Sequence, residues 1–274
     1  MNYRHIYHAG NFADIMKHLI LMQVVKAMQK KDAALLLCDA HAGVGVYDLQ
    51  SAQAQKTQEY LTGIAALVDA PSPPPAWQDF LQVVRREGYP RFYPGSPFLL
   101  SGLARPQDRI VLNELHPDDV ETLAENMGRQ KRVSITAVDA YACVRAHTPP
   151  IERRGLYLID PPFEQKDEFA RLQQAIPTWH SRFSTGVYMI WYPIKRDFPL
   201  EDLYQTVRDS GFHRAWCAET MRYPIGTPDV LNGCGVIVLN TPYPVAETAA
   251  EFLPPLQNVL ELQDVTMRWL GTSL

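Results

Sequence analysis

Short apolar runs separated by longer amphipathic segments set the pattern of this chain. Runs of this length that are apolar throughout are typical of strands buried on both faces. They are Ala34–Cys38, Ile110–Leu112, Val133–Ala137, Leu156–Ile159, Val187–Trp191 and Val236–Leu239. Helical patterns lie between most of them. The alternation predicts an α/β fold in which helices cover both faces of a mostly parallel sheet.

The pattern changes near the C-terminus. The runs Phe212–Met221 and Gly235–Asn240 are separated by a loop that contains proline and glycine. Two runs joined in this way predict an antiparallel hairpin, here at the edge of the parallel sheet.

A second change lies between the first strand and a helix expected to begin near Ser96. Helical patterns at Gln53–Val68 and Ala76–Arg86 flank the segment 70–75, whose prolines exclude a continuous helix. We therefore expect a helical insertion over residues 47–95, with the main domain formed by residues 1–46 and 96–274.

Composition places the chain among ordinary globular proteins, with 46% hydrophobic and 20% charged residues among 274. No apolar run approaches the ~20 residues that span a bilayer, and residues 1–11 lack the apolar stretch of a secretory signal. These features predict a cytoplasmic protein without a membrane partner. The net charge of −4 counts modestly against a protein that coats duplex nucleic acid.

The four cysteines indicate neither a metal site nor a disulfide framework. They are Cys38, Cys143, Cys217 and Cys234, which lie far apart in apolar stretches and form no Cys-x-x-Cys pair. Buried thiols are the expected state, and no metal cofactor is implied.

Three predicted strands end in carboxylates. The first runs into Asp39-Ala40-His41-Ala42-Gly43-Val44-Gly45, the second ends at Glu114, and the third is followed by Asp139-Ala140. In open α/β sheets, small residues and carboxylates at this edge bind the phosphate, ribose or base of a cofactor. Each motif alone is equally typical of a plain turn or a helix N-cap; together the three carboxylates favour a binding site.

The most specific motif is Asp160-Pro161-Pro162-Phe163, directly after the strand Leu156–Ile159. Prolines fix the backbone and remove N–H donors, so carbonyl groups there remain free to accept hydrogen bonds. Asp160 and the Pro161 carbonyl could accept both N–H groups of an amine, while Phe163 could stack on a base. The alternative is a rigid turn with a buried phenylalanine.

In this order, the motifs resemble those of methyltransferases that act on the amines of nucleic-acid bases. More closely, the whole chain resembles the RlmJ family of bacterial 23S ribosomal RNA adenine-N6 methyltransferases. The matching segments are Tyr3-Arg4-His5, His8-Ala9-Gly10-Asn11, Ala13-Asp14, Lys17-His18, His41-Ala42-Gly43, Tyr93-Pro94-Gly95-Ser96-Pro97, Glu114-Leu115-His116-Pro117, Arg153-Arg154-Gly155, Asp160-Pro161-Pro162 and Trp191-Tyr192-Pro193.

The resemblance implies a Rossmann-like class I methyltransferase fold with a seven-stranded, mostly parallel sheet and a C-terminal antiparallel hairpin. It also implies the cofactor S-adenosylmethionine, bound by one set of residues. They are Lys17, His18, His41, Ser96, Glu114, Asp139, Ala140 and Asp160. Asp160 is in addition the implied catalytic residue.

For the substrate, the resemblance implies an adenine of 23S ribosomal RNA, at position 2030, and a position for Tyr3 that faces the RNA. From the motif itself we expect Pro161 and Phe163 to bind the base, which must flip out of the RNA to reach them. Residues 1–11 are expected to form a mobile segment that folds over the cofactor. The expected enzyme is a monomer that acts on protein-free RNA or an early assembly intermediate. Phe163 stands where the family can have tyrosine, and Ala140 where it can have glycine, which keeps a backbone contact only at negative φ.

Alternatives remain at this point. The cluster His5, His8, Lys17 and His18 could be a hydrated helix face, although Lys17 could also pair with the cofactor carboxylate. The motifs also fit a methyltransferase for guanine N2 of small-subunit RNA or for adenine N6 of DNA. A non-catalytic RNA-binding relative is a further reading. A dinucleotide-dependent oxidoreductase is disfavoured because the third glycine of its fingerprint is missing.

Overall fold

The structure is a computed structural model that describes residues 4–228 and 230–271. The strands in these ranges are β1 (Leu36–Asp39), β2 (Val46–Asp48), β3 (Phe92–Pro94), β4 (Arg109–Asn113), β5 (Val133–Thr136), β6 (Gly155–Ile159), β7 (Val187–Ile194), β8 (Trp216–Met221), β9 (Gly233–Leu239) and β10 (Asp264–Trp269).

Among the described residues, the first α-helix precedes these strands and the others lie between them. They are α1 (Phe12–Gln29), α2 (Ala52–Thr57), α3 (Ile64–Val68), α4 (Pro75–Arg86), α5 (Ser96–Leu103), α6 (Pro117–Met127), α7 (Ala140–Ala146), α8 (Glu168–Arg182), α9 (Leu200–Asp209), α10 (Val245–Phe252) and α11 (Leu256–Val259).

In the described part of the chain, the main sheet has the order β10-β8-β9-β7-β6-β1-β4-β5. The strands from β7 through β6, β1 and β4 to β5 are parallel, and β9, β8 and β10 continue the sheet with antiparallel pairing. The predicted α/β class and the predicted hairpin, formed by β8 and β9, are confirmed.

The expected number of seven strands is too low, because β10 adds an eighth at the edge. This strand alternates exposed and half-buried residues from Asp264 to Trp269, as an edge strand with one solvated face does. It contributes no continuous apolar run, which is why the apolar pattern does not reveal it.

The predicted helix Gln53–Val68 is interrupted. Gln58 adopts a left-handed conformation with φ of 54° and ends α2. At Gly63 an added Cβ would lie 2.0 Å from the Gly10 carbonyl oxygen, and the Ile64 N–H donates to that same oxygen at 2.8 Å. The segment breaks because it turns to dock on the chain just before α1.

The residues between β1 and α5 pack directly on the rest of the molecule. Trp77 of α4 is buried and its indole Nε1–H donates to the Phe252 carbonyl at 3.0 Å. β2 and β3 pair as a small antiparallel sheet near the N-terminal chain. Treating residues 47–95 as a subdomain of its own remains a proposal.

Helix α1 is buried along most of its length and crosses one face of the sheet. The Asn11 side chain caps it by accepting the Asp14 N–H at 3.0 Å. The four cysteines are buried, as their apolar surroundings predict. Among the described residues, no helix combines the length and the apolar character needed to cross a membrane.

Candidate functional site: a cavity at the carboxyl ends of the parallel strands

A cavity of about 500 Å³ opens at the edge of the sheet where β1, β4 and β6 end. Its walls include every sequence-predicted site residue that the structure describes. They are Lys17, His18, His41, Ser96, Glu114, Asp139, Ala140, Asp160, Pro161 and Phe163. Tyr3 lies outside the described residues. The strand-end position of these side chains follows from the parallel sheet.

The turn after β1 and the carboxylate of Glu114 form one end of the cavity. Gly43 has φ of 58°, and an added Cβ would lie 2.2 Å from the Tyr47 hydroxyl, so a side chain cannot stand there. The Gly43 N–H donates to Glu114 Oε2 at 2.8 Å and the His116 N–H donates to Oε1 at 2.8 Å. Burial raises the pKa of Glu114 in spite of these bonds. Each oxygen keeps a lone pair for a ligand hydroxyl.

A chain of charges links α1 to the end of β6. Lys17 Nζ donates to Asp14 Oδ1 at 2.9 Å and to Asp160 Oδ2 at 2.5 Å. Burial opposes the charge of Lys17, but the two carboxylates outweigh it and hold its pKa well above the ordinary value. Asp14 is likewise buried, and His5 and Lys17 bring its pKa well below the ordinary value.

This arrangement excludes the hydrated helix face for the middle of α1. Lys17 is 4% exposed and His18 is 1% exposed. Burial lowers the pKa of His18 to about 3, so its ring is neutral and shares a hydrogen bond of 2.8 Å with the Tyr93 hydroxyl.

The backbone of Asp160 is fixed by a neutral histidine. The Asp160 N–H donates to His41 Nδ1 at 3.1 Å. Burial lowers the pKa of His41 to about 4, so Nδ1 is free to accept. Within the described residues, no hydrogen bond reaches the Pro161 carbonyl, which leaves it available to a ligand.

Asp39, the last residue of β1, is fully buried and does not line the cavity. Its Oδ1 accepts the His41 N–H at 3.1 Å, while Oδ2 has no partner in the described part of the chain. Burial raises the pKa of Asp39 to about 7, against the opposing effects of the nearby Ser96 side chain and of the His41 N–H.

The far end of the cavity is formed by Asp139 and its neighbours. Asp139 Oδ1 accepts the Ala142 N–H at 3.0 Å and so caps α7, while Oδ2 pairs with Arg171 of α8. The Arg171 guanidinium also lies 4.6 Å from the centre of the Tyr141 ring. Ala140, the first residue of α7, is not among the residues with positive φ, which meets the condition for a backbone contact.

Phe163 stands in a group of aromatic side chains at the cavity wall. Its ring lies 4.7 Å from Phe169, 6.1 Å from Trp191 and 6.4 Å from Phe198, measured between ring centres. Phe163 has φ of 50°, a conformation that costs free energy for a bulky residue. Strained backbone conformations of this kind cluster at active and ligand-binding sites, where the surrounding structure holds them in place.

Residues 4–11 run along the cavity mouth, where one ion pair and two hydrogen bonds hold them. Arg4 pairs with Asp119 at 2.6 Å, and the rings of His5 and His8 share hydrogen bonds with Asp14 at 2.8 Å and with Glu59 at 2.9 Å. The expectation that this segment is mobile remains a prediction.

Several residues of the site escape sequence reasoning. Asn113 ties three strand ends, since its amide donates to the carbonyls of Ala40 and Val138 at 3.1 and 2.9 Å. Its position just before Glu114 at a strand end was a usable signal. Arg171, Lys195 and Phe198 also line the cavity, but they come from helices and loops whose sequence carries no motif.

The donors and acceptors of the cavity fit an adenosyl amino acid. Lys17 has three N–H donors and two protein partners, which leaves one N–H for a carboxylate. Glu114 offers lone pairs to a ribose diol, and Asp139 offers an acceptor to an exocyclic amine at the opposite end.

Comparison with known proteins gives consistent matches. The model of the family described as "Ribosomal RNA large subunit methyltransferase D, RlmJ" matches residues 32–271. The "Ribosomal RNA large subunit methyltransferase J" of Haemophilus influenzae is 34% identical over 98% of this chain and 99% of its own length. The Escherichia coli protein of the same name is also 34% identical, over 95% of this chain and 94% of its own length.

A solved structure matches over nearly the whole length as well. The crystal structure of a Legionella pneumophila protein has a TM-score of 0.86 and 30% identity, and the match covers 97% of this chain and 99% of that one. The fold, including the parts around the cavity, is therefore shared with that protein.

Proposed function

The chain belongs to the RlmJ family of ribosomal RNA large subunit methyltransferases, and on this premise we propose that it methylates the N6 amine of an adenine in 23S ribosomal RNA. The fold is that of class I methyltransferases, and the cofactor is S-adenosylmethionine. By family resemblance, the proposed target is adenine 2030. The observation that carries the proposal is that Asp160, Pro161 and Phe163 line the same cavity as the 41–45 turn and Glu114.

S-adenosylmethionine supplies a methyl group on a positively charged sulfur, so transfer to an amine breaks one S–C bond, forms one N–C bond and releases one proton. In the proposed site, Lys17 would hold the cofactor carboxylate, Glu114 the ribose hydroxyls, and Asp139 with the Ala140 backbone the adenine. His18, His41 and Ser96 complete the walls.

The proposed work of the catalytic residues is alignment and hydrogen bonding. Asp160 and the Pro161 carbonyl accept the two N–H groups of the target amine and thereby favour a more tetrahedral, nucleophilic nitrogen. Lys17 and the His41 ring hold Asp160 in place. Positioning of donor and acceptor in line supplies much of the acceleration, and Asp160 stands where the released proton leaves.

A base inside a stacked helix cannot reach this cavity, so the proposal includes flipping of the target adenine, at a cost of a few kcal/mol. Phe163 supplies a ring face against which the flipped base stacks. We assign a substrate role to Tyr3 by family resemblance alone. Protein-free RNA or an early assembly intermediate exposes the strand most readily, and ribosomal RNA of this kind is cytoplasmic in bacteria. We expect the enzyme to act as a monomer.

The test compares cells with and without this protein. Mass mapping of ribosomal RNA should show one N6-methyladenosine in 23S RNA that disappears in the deletion strain and returns with the wild-type protein. Purified protein should methylate deproteinised 23S RNA and leave 16S RNA and duplex DNA unmodified. Methylguanosine in 16S RNA, or methylation of DNA, would replace the proposal by one of the other amine methyltransferases; binding of RNA without transfer would indicate a non-catalytic relative.

A further inference from the structure

Two loops project beyond the sheet next to Asp160. The pairing of β6 with β7 ends at Ile159 and Ile190, but β7 continues to Ile194, where it still pairs with Gly233 of β9. Four additional residues at ~3.4 Å each carry this two-stranded ribbon about 14 Å past the last β6 pair. The loop 195–198 follows the end of β7, and the loop 222–228 follows the end of β8, which lies on the same side of the sheet.

The two loops are packed against each other. Gly226 has φ of 87°, and an added Cβ would lie 2.4 Å from Arg196 Nη2, so the guanidinium rests on the backbone of the second loop. Asn232, which is 2% exposed, accepts the Gly226 N–H at 3.0 Å and donates to the Thr227 carbonyl at 2.9 Å. The loops therefore form one surface with a defined shape, the 195–198/222–228 surface.

This surface carries cations that no carboxylate neutralises. Among the described residues, neither Lys195 nor Arg196 has a carboxylate within 4.0 Å, although both are exposed and Asp197 follows them directly in sequence. Lys195 lines the cavity together with Glu164. Its Nζ lies 5.9 Å from the centre of the Phe198 ring, which in turn neighbours Phe163.

Exposed apolar side chains accompany the cations. Tyr223 is 37% exposed and Ile225 is 54% exposed. Free cations beside an exposed aromatic ring are the combination with which proteins bind single-stranded nucleic acid, through phosphate contacts and base stacking. In a molecule with a net charge of −4, local cations next to the catalytic cavity are the means of attracting an RNA strand.

We propose that the 195–198/222–228 surface binds the single-stranded RNA that flanks the target adenine. Lys195 and Arg196 bind its phosphates, and Tyr223 stacks on a neighbouring base. The inference rests on the proposed function and adds the place where the RNA enters the site.

The test uses the double variant Lys195→Ala/Arg196→Ala in the full-length protein. Arg129→Ala/Lys131→Ala is the matched control, because these exposed cations precede β5 at the opposite edge of the sheet. Fluorescence anisotropy measures the affinity for a labelled single-stranded oligoadenylate over a series of salt concentrations. Loss of two phosphate contacts should lower the slope of log affinity against log salt by about 1.4, whereas the control keeps the wild-type slope.

Methyl transfer to deproteinised 23S RNA gives the second readout. For the double variant at Lys195 and Arg196, KM for RNA should rise roughly tenfold. In the single variant Arg196→Ala, whose residue does not line the cavity, KM for RNA should rise while kcat and the affinity for S-adenosylhomocysteine stay within about twofold. If the wild-type enzyme is active and the double variant keeps the wild-type salt slope and KM for RNA, the inference about this surface is wrong, but the proposed function stands. Failure of the wild-type enzyme to methylate 23S RNA would overturn the proposed function instead.

Two further variants separate the parts of the surface. Tyr223→Ala should weaken oligoadenylate binding roughly fivefold or more, and Tyr223→Phe should not, because stacking needs only the ring. Tyr243→Ala is the control. Tyr243 is also exposed, but it follows the end of β9 that lies away from the cavity. Gly226→Ala, which displaces Arg196, should raise KM for RNA and leave S-adenosylhomocysteine binding unchanged. Equal behaviour of the Tyr223→Ala and Tyr243→Ala variants would remove Tyr223 from the surface.

Discussion

At the scale of single residues, Asp160 is the side chain on which the proposed reaction depends. Asp160→Asn keeps one acceptor oxygen but removes the charge that pairs with Lys17, and Asp160→Ala removes both. We expect single-turnover methyl transfer to 23S RNA to fall by a factor on the order of 100 or more in each variant. Asp167→Asn, an exposed aspartate at the start of α8, is the control. Near-normal transfer by Asp160→Ala would exclude the assigned role.

Phe163 is expected to act on the substrate rather than on the cofactor. Phe163→Leu keeps an apolar side chain but loses the ring face, so kcat/KM for RNA should fall roughly fivefold or more, as expected for the loss of about 1 to 3 kcal/mol of stacking. Phe163→Tyr should retain most activity. Isothermal calorimetry with S-adenosylhomocysteine should give similar affinities for all three proteins. A Leu variant with weak cofactor binding and a normal rate would contradict the stacking role.

Asp39 predicts a pH dependence of stability. Its pKa, raised by burial to about 7, exceeds that of the unfolded chain, about 3.9. The folded protein therefore holds a proton that the unfolded chain releases, and stability from this group declines as the pH rises from about 4 to about 7. Asp39→Asn should abolish this decline.

The measurement is the free energy of unfolding in urea as a function of pH, for wild-type protein and the Asp39→Asn variant. Between about pH 4 and about pH 7, the free energy of unfolding of the variant should rise relative to that of the wild-type protein by at most roughly 4 kcal/mol. Parallel curves would show that Asp39 ionises in the folded protein as it does in water.

At the scale of elements, the sequence predicts well whatever a local pattern encodes. Strands β1, β4 and β6 each contain a continuous apolar run. Glu114 and Asp160, which follow β4 and β6, line one cavity because parallel strands end at the same edge. Strand β10 is missed because half of its residues face solvent. The break at Gly63 is missed because its cause, the Gly10 carbonyl, lies far away in sequence.

The same limit applies to the site. That Asp160 lies at a strand end can be predicted from its apolar run, but its ion pair with Lys17 joins residues 143 positions apart. The pairing of Arg171 with Asp139 likewise brings α8 to the start of α7. Contacts between elements depend on packing, which a pattern along one element does not contain.

Two glycines test this distinction between local and distant causes. In Gly63→Ala the new Cβ meets the Gly10 carbonyl, so the Ile64 N–H bond must break, and we expect a loss of about 2 to 3 kcal/mol in the free energy of unfolding. In Gly102→Ala, within α5, the Cβ meets only the flexible end of Arg86 at 2.9 Å, and the gain in helix propensity should add roughly 0.5 to 1 kcal/mol. Urea unfolding measures both; equal effects would show that the Gly10 contact is unimportant.

At the scale of the whole molecule, the cavity joins segments that are distant in the chain. Lys17 comes from α1, Glu114 from the end of β4, Asp139 from the start of α7 and Asp160 from the end of β6. A ligand that fills the cavity must therefore hold the N-terminal helix and both halves of the parallel sheet together. Because it binds only the folded chain, it should stabilise the molecule as a unit.

S-adenosylhomocysteine is the probe for this coupling. At about 100 times its dissociation constant it should add about 2.7 kcal/mol, which for a chain of this size raises Tm by roughly 5 to 10 °C. Glu114→Ala, which removes the proposed ribose acceptor, should lose most of this shift, whereas Glu125→Ala on the exposed side of α6 should keep it. Differential scanning fluorimetry gives both values. If S-adenosylhomocysteine still raised the Tm of the Glu114→Ala variant by the full amount, the ribose would bind elsewhere, because a bound ligand stabilises a protein only through the contacts that the two make.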